Sequence, residues 1–201
     1  DLVQHPRDEV ASASAYALKE LAVAEMLPKL LEQANRIQSL TASGAYKSKR
    51  TELVLPHLFE AFAEYKYKPA ENLMKSYIAK TDASLETPQC RSTAIWSLAY
   101  LHEGNVDLPL ARQFTARMFD RNPLPGEAHE VFAASAMALG IMKADGSLGD
   151  LRKLGDEFGS DDRAGRAAYW SINRLTDEPI PPRRRRTVSR GQWFLTPLSR
   201  D

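Results

Sequence analysis

One cysteine, Cys90, is all the thiol chemistry in the chain. A single thiol excludes an internal disulfide and a cysteine-rich metal site, and it leaves the redox compartment open. Histidines are few as well: His5, His57, His102 and His129, no two of them three or four residues apart. A helix-borne pair of metal ligands therefore has no support. No apolar run approaches the roughly 18 residues of a membrane-crossing helix, and no signal peptide opens the sequence. A soluble chain without membrane insertion is expected. It begins at Asp1 and not at Met, so it is expected to be processed or cut from a longer protein. An excess of one charge is also missing, with 27 Lys and Arg against 26 Asp and Glu.

What charge asymmetry exists is local. Residues 183–201 hold six Arg and one Asp, a net of +5. Subtracting these leaves 21 basic and 25 acidic side chains in residues 1–182, a net of −4. A mildly acidic body carrying a basic tail excludes a body-wide polyanion-binding face. With 201 residues, 43% of them hydrophobic, the chain can bury one sizeable core.

The sequence repeats itself. Residues 10–21 form a phrase, Val-Ala-Ser-Ala-Ser-Ala-Tyr-Ala-Leu-Lys-Glu-Leu, that returns at residues 90–101, 131–142 and 164–175. Leu18 takes the register of Leu98, Leu139 and Ile172, at steps of 80, 41 and 33 residues. A period of about 33 to 45 residues, the first step being close to two periods, indicates a stack of helix pairs. Within the phrase, Val10, Ser14, Ala17, Leu18 and Leu21 follow the 3.6-residue period of an amphipathic helix. The Ala and Ser runs favour helix and let a neighbouring helix approach closely. Asp8 and Glu9, Glu127 and Glu130, and Asp161 and Asp162 lie near helix starts, where acids complement unsatisfied N–H groups.

A second helix follows each phrase. Leu27 and Leu148 each stand nine residues after their register leucine, and Pro28 suits a first helical turn. A looser copy starts near Asp107 and runs to about Phe119. Between the first two clear phrases, residues 51–65 read as a degenerate first helix with Leu55, Leu58 and Phe62 inward, and a second helix runs from Pro69 to about Lys80. Residues 39–48 and 122–126 read as connectors. The expected repeats fall near 6–38, 46–81, 87–120, 126–158 and 160–177, making one domain over 1–182. Residues 183–201 read as an extended basic, aromatic-containing tail.

The phrases resemble HEAT repeats of the short PBS-lyase-like kind, with the pattern Val-Arg-x-x-Ala-Ala-x-Ala-Leu-Gly-x-Ile, a turn, then Leu-Pro-x-Leu. The residues that carry the likeness are 15–18, 26–31, 136–142 and 167–172. They are also similar to HEAT-repeat regions of large planctomycete proteins, which can end in a comparable Pro-rich tail containing Trp-Phe-Leu. The resemblance covers about two thirds of the chain and is weak over residues 40–85. It implies an all-α fold, a right-handed α-solenoid of about five HEAT-like helix pairs, with a protein-binding surface. It brings no catalytic residues with it.

Candidate residues follow from this frame. Cys90 shares the register of Val10, Val131 and Ala164, which favours an inert core thiol over a nucleophile. His102 follows a helix end, where an imidazole can meet the last carbonyls. Tyr16, Trp96, Met137 and Trp170 share one register away from the Leu18 stripe. They either pack on an adjacent repeat or form an exposed apolar strip for a partner. Arg183, Arg184, Arg185 and Arg186 can grip phosphate, or else belong to a linker or a strap held on the acidic body. Trp193 and Phe194 are too apolar for a free tail and are expected to dock in a groove of this chain or another, capping the last helix pair in the former case. On the second helices Lys29, Gln33, Arg36, Arg112, Arg117, Arg152 and Lys153 would line a basic concave face.

No cofactor, metal or catalytic group is expected. The leading expectation is a non-enzymatic scaffold that binds a protein segment or other domains of a parent chain. Nucleic-acid binding through Arg183 to Arg186 and the basic second helices is the alternative. A bilin lyase-like activity, implied only by the PBS-lyase likeness, comes last.

Overall fold

Side-chain size decides how these helices meet. The computed structural model describes residues 2–21, 24–45, 48–79, 87–122 and 126–183. Among the described residues the fold is all-helical, with nine α-helices and no strand. They are α1 (Asp8–Leu21), α2 (Leu27–Ala42), α3 (Ser48–Glu64), α4 (Glu71–Ser76), α5 (Pro88–Leu101), α6 (Leu108–Met118), α7 (His129–Ile141), α8 (Leu148–Phe158) and α9 (Arg163–Thr176). The four repeated phrases are thus α1, α5, α7 and α9, and the degenerate copy is α3.

The odd-numbered helices form one continuous row, α1 on α3, α3 on α5, α5 on α7 and α7 on α9. Each even-numbered helix packs on the odd helix that follows it. The Ala and Ser content of the phrase permits this close row. At Gly140 of α7 an added Cβ would stand 2.5 Å from Ser171 Oγ of α9. Ser171 Oγ also donates to the Ala136 carbonyl at 2.8 Å, so the small residues both admit the neighbouring helix and bond it. The larger apolar side chains fill the space beneath: Leu55, Leu58, Phe59 and Phe62 from α3, Ile95 and Leu98 from α5, and Leu139 from α7 are all fully buried. The inward residues expected for the degenerate repeat are therefore in the core.

Local chemistry starts the helices where the sequence suggests. Thr87, Asp107 and Asp162 each accept a backbone N–H at the first turn of α5, α6 and α9, from Cys90, Leu110 and Ala164 respectively. Between α6 and α7 a buried ion pair, Arg91 to Glu127 at 2.9 Å, ties the connection to α5. Two boundaries differ from the sequence reading. α2 continues through residues 39–42, which read as connector; in that stretch Thr41 Oγ1 donates to the Ile37 carbonyl and lies 2.6 Å from Thr51 Oγ1 of α3. α4 ends at Ser76, short of Lys80, which lies outside the described residues.

After α9 the chain turns at Asp177, which takes a left-handed conformation, and runs back along the helix it has just left. Asn173 donates to the Glu178 carbonyl at 2.8 Å, Glu178 pairs with Arg152, and Ser160 donates to the Pro182 carbonyl at 3.0 Å. Residues 177–182 are thereby a strap over α8 and α9. It ends at Arg183, beside the start of α9.

Candidate functional site

Helices α5, α7 and α9 lay small residues along one face, with one large apolar side chain from each. Ala133 and Ala134 of α7 and Ala167 of α9 make a low floor, and Trp96, Met137 and Trp170 stand above it. The result is a groove of 650 Å³ that crosses α3, α5, α7 and α9. Adjacent helices lie about 8–10 Å apart, so the three large side chains act as ribs at that spacing. All three are half-buried. Trp96 leans on Tyr100 at 4.4 Å between ring centroids, and the Arg174 guanidinium covers Trp170 at 5.1 Å.

The rim is charged. Glu60, Glu130, Asp161 and Asp162 supply four carboxylates, and Arg163, Arg166 and Arg183 supply three guanidinium groups. His57, whose Nδ1 lies 3.6 Å from Glu60 Oε2, holds the Glu60 carboxyl below its ordinary value; burial opposes this, and Lys19 adds to the lowering. Asp162 also caps α9 and stands 3.4 Å from His129 Nδ1. Next to it Arg121 lies over the Phe132 ring at 4.6 Å and makes a two-pronged contact with Glu157. Such a surface, with an apolar ribbed floor and a mixed rim, suits a chain segment that offers large apolar side chains at intervals and charges at its edges.

The sequence column is resolved residue by residue. Trp96, Met137 and Trp170 come together in the groove. Tyr16 is exposed on α1, edge-on to His57 at 5.6 Å and under the Lys19 ammonium at 4.9 Å. Three of the rim carboxylates, Glu130, Asp161 and Asp162, read in the sequence as helix-start acids, and in the structure they also face the groove; Glu60, near the end of α3, has no such reading.

The basic residues of the second helices line separate clefts or pair with separate partners. Lys29 and Gln33 line a cleft of 850 Å³ at the α1 end, with Leu2, Leu18 and Met26. Arg36 donates to Gln4 at 2.8 Å. Arg112 borders a cleft of 440 Å³ between α6 and the start of α8. Arg117 turns to Asp120 at 3.2 Å and Glu127 at 3.6 Å. Arg152 is paired with Glu178, and Lys153 lies over Phe119 at 4.9 Å. Among the described residues, Arg183 is the candidate arginine that stands at the groove of the first helices. Arg184, Arg185, Arg186, Trp193 and Phe194 lie outside the described residues.

Cys90 is fully buried, with its Sγ 3.6 Å from the Thr51 carbonyl. His102 departs from the sequence reading: its Nε2 lies 2.9 Å from Glu71 Oε1, and its ring bonds a carboxylate of the preceding repeat. Glu71, His102 and Asp107 place three ligand-type atoms within 4.8 Å of one another. Positive charge already sits there, with Lys75 at 2.7 Å and Lys68 at 3.7 Å from Glu71, and Asp107 is engaged in capping α6. The cluster reads as a clasp between α4 and α5.

No helix of the described residues is long and apolar enough to cross a membrane. No protein-family model matches this chain, and neither a curated protein nor a solved structure shows significant similarity to it.

Proposed function

We propose that the chain is a non-enzymatic protein-interaction module, a right-handed α-solenoid of about five HEAT-like helix pairs that holds a partner segment in the groove of its first helices. The observation that carries the reading is the ribbed groove itself, Trp96, Met137 and Trp170 above an Ala floor. The solenoid reading is supported by the phrase recurring at α1, α5, α7 and α9 and by the same neighbour relation at each step of the row. The partner chemistry that fits is a peptide with spaced aromatic or long aliphatic side chains and basic flanks. Dispersal of the second-helix cations over separate clefts favours this over a nucleic-acid track.

The test is a pull-down with the full chain, with and without nuclease, using wild type, Met137→Glu and Arg112→Glu. Proteins kept despite nuclease, lost on Met137→Glu and retained on Arg112→Glu are the expected result. Retention that ignores Met137→Glu would reject the groove. Retention that vanishes with nuclease would move the function to nucleic acid.

A further inference from the structure

We infer that the groove of the first helices is the docking site of the chain's own C-terminal segment, residues 184–201. In this arrangement Arg184, Arg185 and Arg186 meet the acidic rim, and Trp193 and Phe194 enter between the ribs. The inference rests on the reading of that groove as a segment-binding site.

Three observations converge on this occupant. The first is delivery. The strap of residues 177–182 is bonded back along α9 through Asn173, Arg152 and Ser160. It hands the chain to the groove at Arg183, which itself lines it beside Asp161 and Asp162. The second is charge. The lining carries Glu60, Glu130, Asp161 and Asp162 against Arg163, Arg166 and Arg183, four acids to three bases. Residues 184–201 carry five Arg and one Asp, so the segment and the groove are of opposite sign.

The third is reach and shape. Trp193 follows Arg183 by ten residues, a span of up to about 33–36 Å when extended. Three helix steps, from α9 to α3, need about 24–30 Å. The tail is therefore long enough to lay Trp193 and Phe194 at any rib of the groove. Large apolar side chains of this kind gain most where they fill slots between other rings. A tethered segment competes at an effective concentration of about millimolar. An outside partner must then displace it, and the partner of best fit carries the same order of features, a basic run followed by an aromatic pair.

The experiment uses the full chain bearing Met137→Cys, with the rate of thiol alkylation by N-ethylmaleimide as the readout. The native Cys90 is fully buried and gives a slow background. A segment docked about 90% of the time slows labelling about tenfold. Adding Trp193→Ala and Phe194→Ala is expected to raise the rate by about that factor. An excess of synthetic peptide of residues 184–201 is expected to lower it again. Arg112→Cys, in the separate cleft between α6 and the start of α8, is the control, and its rate is expected to ignore the tail substitutions. Equal Met137→Cys rates with and without the tail aromatics would overturn the inference. So would a parallel rise at Arg112→Cys, which would mean a general loosening of the fold. If Met137→Cys ignores the tail while Met137→Glu still abolishes partner capture, this inference fails alone. If neither substitution has an effect, the segment-binding reading fails with it.

Discussion

Leu18 and Leu139 occupy the same position of the same phrase, yet their surroundings differ. Leu139 is fully buried, with odd helices on both sides of α7. Leu18 is half-buried, because α1 has an odd neighbour on one side among the described residues. Leu139→Ala is therefore expected to cost about 2–5 kcal/mol in urea unfolding, the range for a buried leucine. Leu18→Ala is expected to cost clearly less, and Lys19→Ala less than either. Equal losses at Leu18 and Leu139 would contradict the burial seen here. The register of both residues is legible in the phrase, as is the core role of Cys90. Their degree of burial is not, since it depends on neighbours that the phrase does not name.

At the scale of elements, the clasp between α4 and α5 has a pH signature. Burial by itself would raise the Glu71 carboxyl, but hydrogen bonds and charge from Lys75 and His102 outweigh it and hold the group at about 2. Lys68 at 3.7 Å and the nearby Asp107 complete its surroundings. A carboxyl that is depressed in the folded state stabilises the fold above its ordinary value of 4.5 and loses that contribution as pH falls toward about 2. Thermal melts of wild type and Glu71→Gln should thus keep their full difference above about pH 5 and converge as pH drops toward 2. A constant gap over that window would sink the assignment. Nothing in the sequence announces this clasp, because Glu71 and His102 are 31 residues apart and are brought together by the packing of α4 on α5. Helix starts fared better: Thr87, Asp107 and Asp162 are ordinary capping residues at the positions where the helices begin. Helix ends did not, as α2 shows, where the helix runs on through a polar stretch to Ala42 with the Thr41 side chain packed against Thr51 of α3.

Across the whole molecule, the row of first helices could be read from the repeated phrase, while the groove could not. The Ala positions that form its floor look the same in sequence whether they meet another helix or face outward. Three of its rim carboxylates, Glu130, Asp161 and Asp162, are indistinguishable from helix-start acids. Only the placing of α3, α5, α7 and α9 side by side turns Trp96, Met137 and Trp170 into ribs. The two ends of the row are also unequal. At the α9 end the strap of residues 177–182 covers the last pair. At the α1 end Val10, Leu18 and Leu21 line a cleft of 850 Å³, and Leu21 is 69% exposed. Their counterparts Val131, Leu139 and Met142 are fully buried. In a stack held by nearest-neighbour contacts, the end with fewer contacts opens first. Amide hydrogen exchange is expected to run fastest in α1 and α2 and slowest in α5 and α7, with α9 protected beyond α1 despite also ending the row. If α1 and α9 exchange alike, the strap contributes nothing to the stability of its end. If all the helices exchange together, the chain unfolds as one unit and the nearest-neighbour reading of the stack is wrong.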